Sequence, residues 1–79
     1  MSEIACIELS SVPAPLRAIA ASRVDDMSGD RLVAFMGCPV IGREADNGEI
    51  EFSFPRGVDL RESLIDWMLY WGIPFRVMV

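Results

Sequence analysis

The sequence predicts an α+β domain: an antiparallel sheet with two helices on one face. Three observations carry this. An Asn-Gly dipeptide (Asn47, Gly48) precedes a segment that alternates apolar and charged residues. A stripe of apolar residues at helical spacing ends at Gly72. Short apolar segments rich in β-branched residues stand near both ends of the chain.

The elements follow in order. Residues 4–9 contain Ile4, Ile7 and Leu9, stop at Ser10 and Ser11, and read as a strand. Pro13 and Pro15 suit the first turn of a helix, where a missing N–H costs nothing. Leu16, Ile19, Ala20, Val24 and Met27 then recur at the spacing of one helical face, so the helix is expected to run until Ser28 and Gly29. Residues 31–36 form a second strand, interrupted by Gly37, Cys38 and Pro39, because proline cannot donate a ladder hydrogen bond. Residues 40–44 either continue that strand past a bulge or form another. Asp46, Asn47 and Gly48 make a tight hairpin turn with positive φ at Asn-Gly. In residues 49–54, Ile50, Phe52 and Phe54 share one side, and Glu49, Glu51 and Ser53 the other. Asp59 and Glu62 resemble a capping box at the start of a helix carrying Leu60, Leu64, Trp67, Met68 and Trp71 on one face. Residues 75–79 close the chain as a strand.

This order, β-α-β-β-α-β, is the ferredoxin-like arrangement in a single domain of residues 1–79. It makes the first strand and the 49–54 strand central. Ala5, Ile7 and Leu9 then face the core with Ile50, Phe52 and Phe54, while Cys6, Glu8, Glu49, Glu51 and Ser53 lie on the open face. Two separate strands in the 31–44 region would alter that topology.

Composition narrows the function. Seven arginines face twelve carboxylates, for a net charge of -5, and the chain has neither lysine nor histidine. Without histidine the usual general base and neutral metal ligand are missing. Without lysine there is no Schiff base and no P-loop. The acidic balance opposes binding to phosphate backbones and to anionic membranes. No apolar run reaches the length of a membrane span, and Glu3 and Glu8 stand where a secretory signal would be basic. A cytoplasmic protein is expected. Cys6 and Cys38 are too few for a disulfide framework and read as small hydrophobes, with an oxidation-dependent dimer as the lesser alternative.

Two acidic clusters are the candidate binding residues. Glu44, Asp46, Glu49 and Glu51 surround the hairpin tip, with Glu8 on the neighbouring strand. Asp25, Asp26 and Asp30 occupy the loop before residue 31, which this topology places at the other end of the sheet. Each cluster reads either as a solvated turn or as charge that steers the chain onto a basic surface. Neither has the spacing of an EF-hand loop, so no metal or other cofactor is expected. An acid–base carboxylate pair needs a cleft that shifts one pKa, and so small a core leaves little room for one. Cys38 lacks an activating base. A non-enzymatic protein follows. Trp67 and Trp71 read as core, while Ile65, Leu69 and Tyr70 extend the apolar surface around the second helix and would serve a homodimer or a partner.

Taken together, a tiny acidic βαββαβ domain with carboxylate edges at Glu44, Asp46, Glu49 and Glu51 and at Asp25, Asp26 and Asp30 resembles phage-encoded anti-CRISPR proteins acting on type I systems. That resemblance is one of character and rests on no sequence motif. It implies direct binding to a basic subunit of the RNA-guided surveillance complex, whose nucleic-acid channel is positively charged, and a block of target DNA by mimicry of its charge. Two other readings stay open: a regulatory or structural domain that self-associates, and a small-ligand sensor or enzyme of the same fold class.

Overall fold

The computed structural model describes residues 3–78. Strand β1 (Ile4–Glu8) leads through a 3-10 turn (Leu9–Ser11) into a short helix, α1 (Ala14–Ala18). Four strands follow: β2 (Ala21–Val24), β3 (Arg31–Ala34), β4 (Gly42–Glu44) and β5 (Glu49–Ser53). Helix α2 (Val58–Tyr70) and strand β6 (Phe75–Met78) complete the fold. The residue-79 end of the expected last strand lies outside the described residues.

The strands form one sheet in the order β2-β3-β4-β5-β1-β6, and every neighbouring pair is antiparallel. The architecture is therefore α+β with an antiparallel sheet and two helices, as expected. The four-stranded βαββαβ topology is not what forms, because strand number and order differ. Two local departures account for this. Residues 16–27 do not make one helix: α1 ends at Ala18, and Ala21–Val24 becomes an edge strand. The apparent helical stripe has no core to face, since Ile19, Val24 and Met27 are 56%, 55% and 96% exposed and only Leu16 is buried. The 31–44 region is two strands, with Gly37 turning at φ 78° between them.

β1 and β5 pair as expected, although β1 is second from the edge of the six-stranded sheet and not at its centre. β1 lies between β5 and β6, with Ala5 opposite Phe52 and Ile7 opposite Ile50. Those four are at most 1% exposed. They pack with Leu16 of α1 and with Leu64, Trp67 and Met68 of α2, so both helices cover one face. Leu9 and Phe54, expected in this row, only flank the core. Trp67 closes the middle. Its ring lies 5.6 Å from Phe35 and 6.1 Å from Phe52, and its Nε1–H donates to the Met36 carbonyl at 3.1 Å. Trp71 is partly buried against the core rather than inside it. On α2, Leu60, Leu69 and Tyr70 are exposed. The expected capping box is absent: Gly57 caps without a side chain, and Asp59 sits in the first turn, where its charge complements the helix dipole.

Candidate functional site: the acidic end of the sheet

Strand direction decides where the carboxylates gather. β1 ends at Glu8, opposite Glu49 at the start of β5. β4 ends at Glu44 and enters the turn to β5 at the same end. β3 begins at Arg31, paired with Val24 at the end of β2, and runs antiparallel to β4, so the β2–β3 turn projects from this end too. The expectation that Asp25, Asp26 and Asp30 lie at the opposite end is therefore overturned. It depended on a helix over 16–27; with β2 and β3 as a hairpin, both acidic turns leave the sheet side by side.

Each turn is built by its own residues. In the β4–β5 turn, Gly48 N–H donates to the Ala45 carbonyl and Ala45 N–H to the Glu49 carbonyl. Gly48 alone takes a positive φ, 83°, so the hairpin has a longer loop with one left-handed glycine, not the two-residue turn with Asn47 also left-handed. Asn47 Oδ1 accepts from Glu49 N–H at 3.1 Å. In the β2–β3 turn, Asp25 N–H donates to the Asp30 carbonyl and Gly29 N–H to the Asp25 carbonyl, both at 2.8 Å. The Asp25 carboxylate accepts the Ser28 hydroxyl at 2.8 Å. That bond, with the Met27 N–H, holds the Asp25 carboxyl below its ordinary pKa.

Arginines interleave with these acids. Arg43 bonds to Glu51 in the middle of β5 and lies 3.7 Å from Asp30, so one guanidinium ties the β2–β3 turn to β5. Glu51 holds the Arg43 pKa above its usual value. Arg76 Nη2 donates to Glu49 Oε1 at 2.6 Å, an oxygen that also accepts from Asn47 Nδ2 at 2.9 Å. Arg31 lies 3.6 Å from Glu44. The open face carries one cross-strand row, Arg23, Leu32, Arg43, Glu51, Cys6 and Arg76. Its middle is thus an ion-paired surface and not the carboxylate sheet expected from β1 and β5 alone. Cys6 lies buried in that row, 3.6 Å from the Met78 sulfur; burial pushes its thiol pKa up, and neighbouring Glu51 adds to the shift.

Seven of the eight candidate residues therefore belong to one end of the sheet, Glu51 lying further in on β5, and the eight are in two chemical states. Asp30, Glu44, Glu49 and Glu51 are paired with arginine. Glu8, Asp25, Asp26 and Asp46 have no arginine partner among the described residues and project from the strand end and the turns. Sequence reasoning missed a further acidic stripe: Asp59, Glu62 and Asp66 are exposed on the outer side of α2, beside exposed Leu69 and Tyr70. Their spacing of three and four residues was the available signal.

Among the described residues, no group of three or more potential metal ligands is close enough to hold an ion, and no helix is long and apolar enough to cross a membrane. A hollow at this end, about 530 Å³ and open to solvent, is lined by Glu8, Ser10, Asn47, Glu49 and Arg76. It offers carboxylates and one guanidinium already engaged by Glu49, suited to hydrogen bonding with a partner surface. Comparisons with protein-family models, with curated proteins and with solved structures find no match for this chain.

Proposed function

We propose that this protein is a small non-enzymatic inhibitor that docks its acidic sheet end on a positively charged nucleic-acid-binding surface, and that its target is a basic subunit of a type I CRISPR surveillance complex. The target class comes from the resemblance to anti-CRISPR proteins; the docking face comes from the geometry. One observation carries the reading: the acidic turns of two consecutive hairpins project from the same end of the sheet, set side by side by the pairing of β3 with β4. Glu8, Asp25, Asp26 and Asp46 supply the unneutralised charge, in a chain of net charge -5. Such a surface gains on-rate by steering and is screened by salt. Arg43 and Arg76 hold Glu51, Asp30 and Glu49 in fixed positions, which lowers the ordering cost of binding.

Competition with a labelled target duplex for a purified type I surveillance complex tests this reading. The protein displaces the duplex at low salt and loses potency as salt rises, and the variant D26R/D46R fails to displace it. Displacement that survives the double reversal excludes the acidic end as the docking face.

A second reading has one observation in its favour. Leu69 and Tyr70, 65% and 81% exposed at the end of α2, form an apolar surface with no covering element among the described residues. Self-association through that surface would appear as concentration-dependent mass, abolished by L69E.

A further inference from the structure

We propose that the free edge of β2 is a strand-addition site for an extended peptide segment that alternates apolar and acidic residues. This goes beyond the acidic docking face and involves a different part of the molecule.

The backbone provides the first argument. β2 is the outermost strand on its side of the sheet, and all four of its residues are exposed. Asp25 N–H donates inward to Asp30, across the hairpin. Inward and outward residues alternate along an antiparallel strand, so Arg23 also faces β3. The N–H and C=O groups of Ser22 and Val24 therefore point away from the sheet. They offer two donors and two acceptors to an incoming strand.

The hollows on either side of this edge give the second argument. On the open face, Ala21, Leu32, Ala34 and Ile41 line an apolar groove of about 200 Å³ beside Arg23. On the helical face lies a cleft of about 420 Å³ whose floor includes Val33 and Phe35 and whose walls carry Arg17 and the Arg31–Glu44 ion pair. An added strand sends successive side chains to opposite faces. Alternate residues would then drop into the apolar groove, and the residues between them would meet the arginines of the cleft.

Charge identifies the occupant. Short of the acidic turn that follows β2, this edge carries two arginines, Arg17 and Arg23, with no carboxylate within ion-pair distance among the described residues, while Arg31 is paired with Glu44 at 3.6 Å. Carboxylates on the cleft-facing positions of the peptide complement Arg17, the arginine of the cleft without an ion-pair partner among the described residues. A second copy fits less well. The symmetric register that uses both outward residues, Ser22 and Val24, places Arg23 directly opposite its own copy, and like charges so placed are destabilising.

The test is fluorescence anisotropy with the full chain and a labelled peptide of four Val-Glu repeats, compared with Val-Lys and Val-Ser repeats of equal length. The Val-Glu peptide binds at least tenfold tighter than the Val-Ser peptide, and the Val-Lys peptide does not bind. R17E weakens the Val-Glu peptide at least tenfold. N-methylation of alternate peptide amides on one edge, which leaves the protein untouched, abolishes binding. Three outcomes overturn the proposal: no binding of the Val-Glu peptide at millimolar concentration; equal binding of all three peptides; or a dimer of the free protein that blocks the peptide, which would make a second copy the occupant.

Discussion

Gly42 provides the sharpest test of how the two acidic turns are held together. It is the first residue of β4, pairs with Val33 of β3, and is buried against β5. A methyl group built there lies 2.9 Å from Phe52 Cε1 and overlaps Ile50 Cγ2. Both of these side chains are fully buried, so neither can swing into solvent. Gly42→Ala must therefore shift β4 or distort rotamers in the centre of the core. Overpacking of this kind costs about 1–3 kcal/mol. For a domain of this size each kcal/mol lowers Tm by about 4–8 °C, so a fall of about 8–16 °C is expected at the middle of that range. Thermal and urea denaturation followed by circular dichroism measures it. A double-mutant cycle assigns the cause. Ile50→Ala costs about 2–5 kcal/mol on its own, but it deletes the overlapping carbon, so the G42A/I50A double variant is less destabilised than the sum by at least about 0.5 kcal/mol. A Tm within about 2 °C of the parent for G42A would falsify the packing described for β4.

Other expectations are equally direct. D26R/D46R alters exposed turn residues without partners, so its stability stays within about 0.5 kcal/mol of the parent while salt-sensitive partner binding disappears. Trp67→Phe removes the bond to the Met36 carbonyl and part of the contact with Phe35 and Phe52, costing about 1–3 kcal/mol in urea denaturation. Burial raises the thiol pKa of Cys6 and of Cys38; both remain protonated in the folded state where an unfolded thiol has begun to ionise, so stability falls as pH rises past about 8.5, and alkylation at pH 8 is slow until urea is added. The Asp25 carboxyl is shifted the other way. Its contribution is complete above its ordinary value, is lost as acid protonates it, and is absent in D25N, which an acid titration of stability would show.

Much of the fold was legible in local patterns. Alternation in Glu49–Ser53 places Ile50 and Phe52 inward, and the stripe Leu64, Trp67 and Met68 marks the buried side of α2; both signals arise from one face meeting a core. The 16–27 segment misled because Leu16, Ile19, Ala20 and Val24 match helical spacing by coincidence. The competing signal was Asp25, Asp26, Ser28 and Gly29, turn residues that need strands on both sides. That single misreading also sent one acidic cluster to the wrong end of the sheet. The acidic candidates could be named from composition, but their pairing could not. Arg43 and Arg76 reach Glu51 and Glu49 only through the register of β4 on β5 and the neighbouring position of β6, which no local pattern encodes. Gly42 carried no signal beyond its place in residues 40–44, although it is where β4 packs tightest on the core.

Hydrogen exchange on the protein, free and in complex with a purified type I surveillance complex, tests the central claim most directly. New protection is expected to be confined to the two turns, residues 25–30 and 45–49, and to the adjoining end of the sheet, and to weaken as salt rises. Protection centred on Leu69 and Tyr70 at the end of α2, with the turns unchanged, would contradict it.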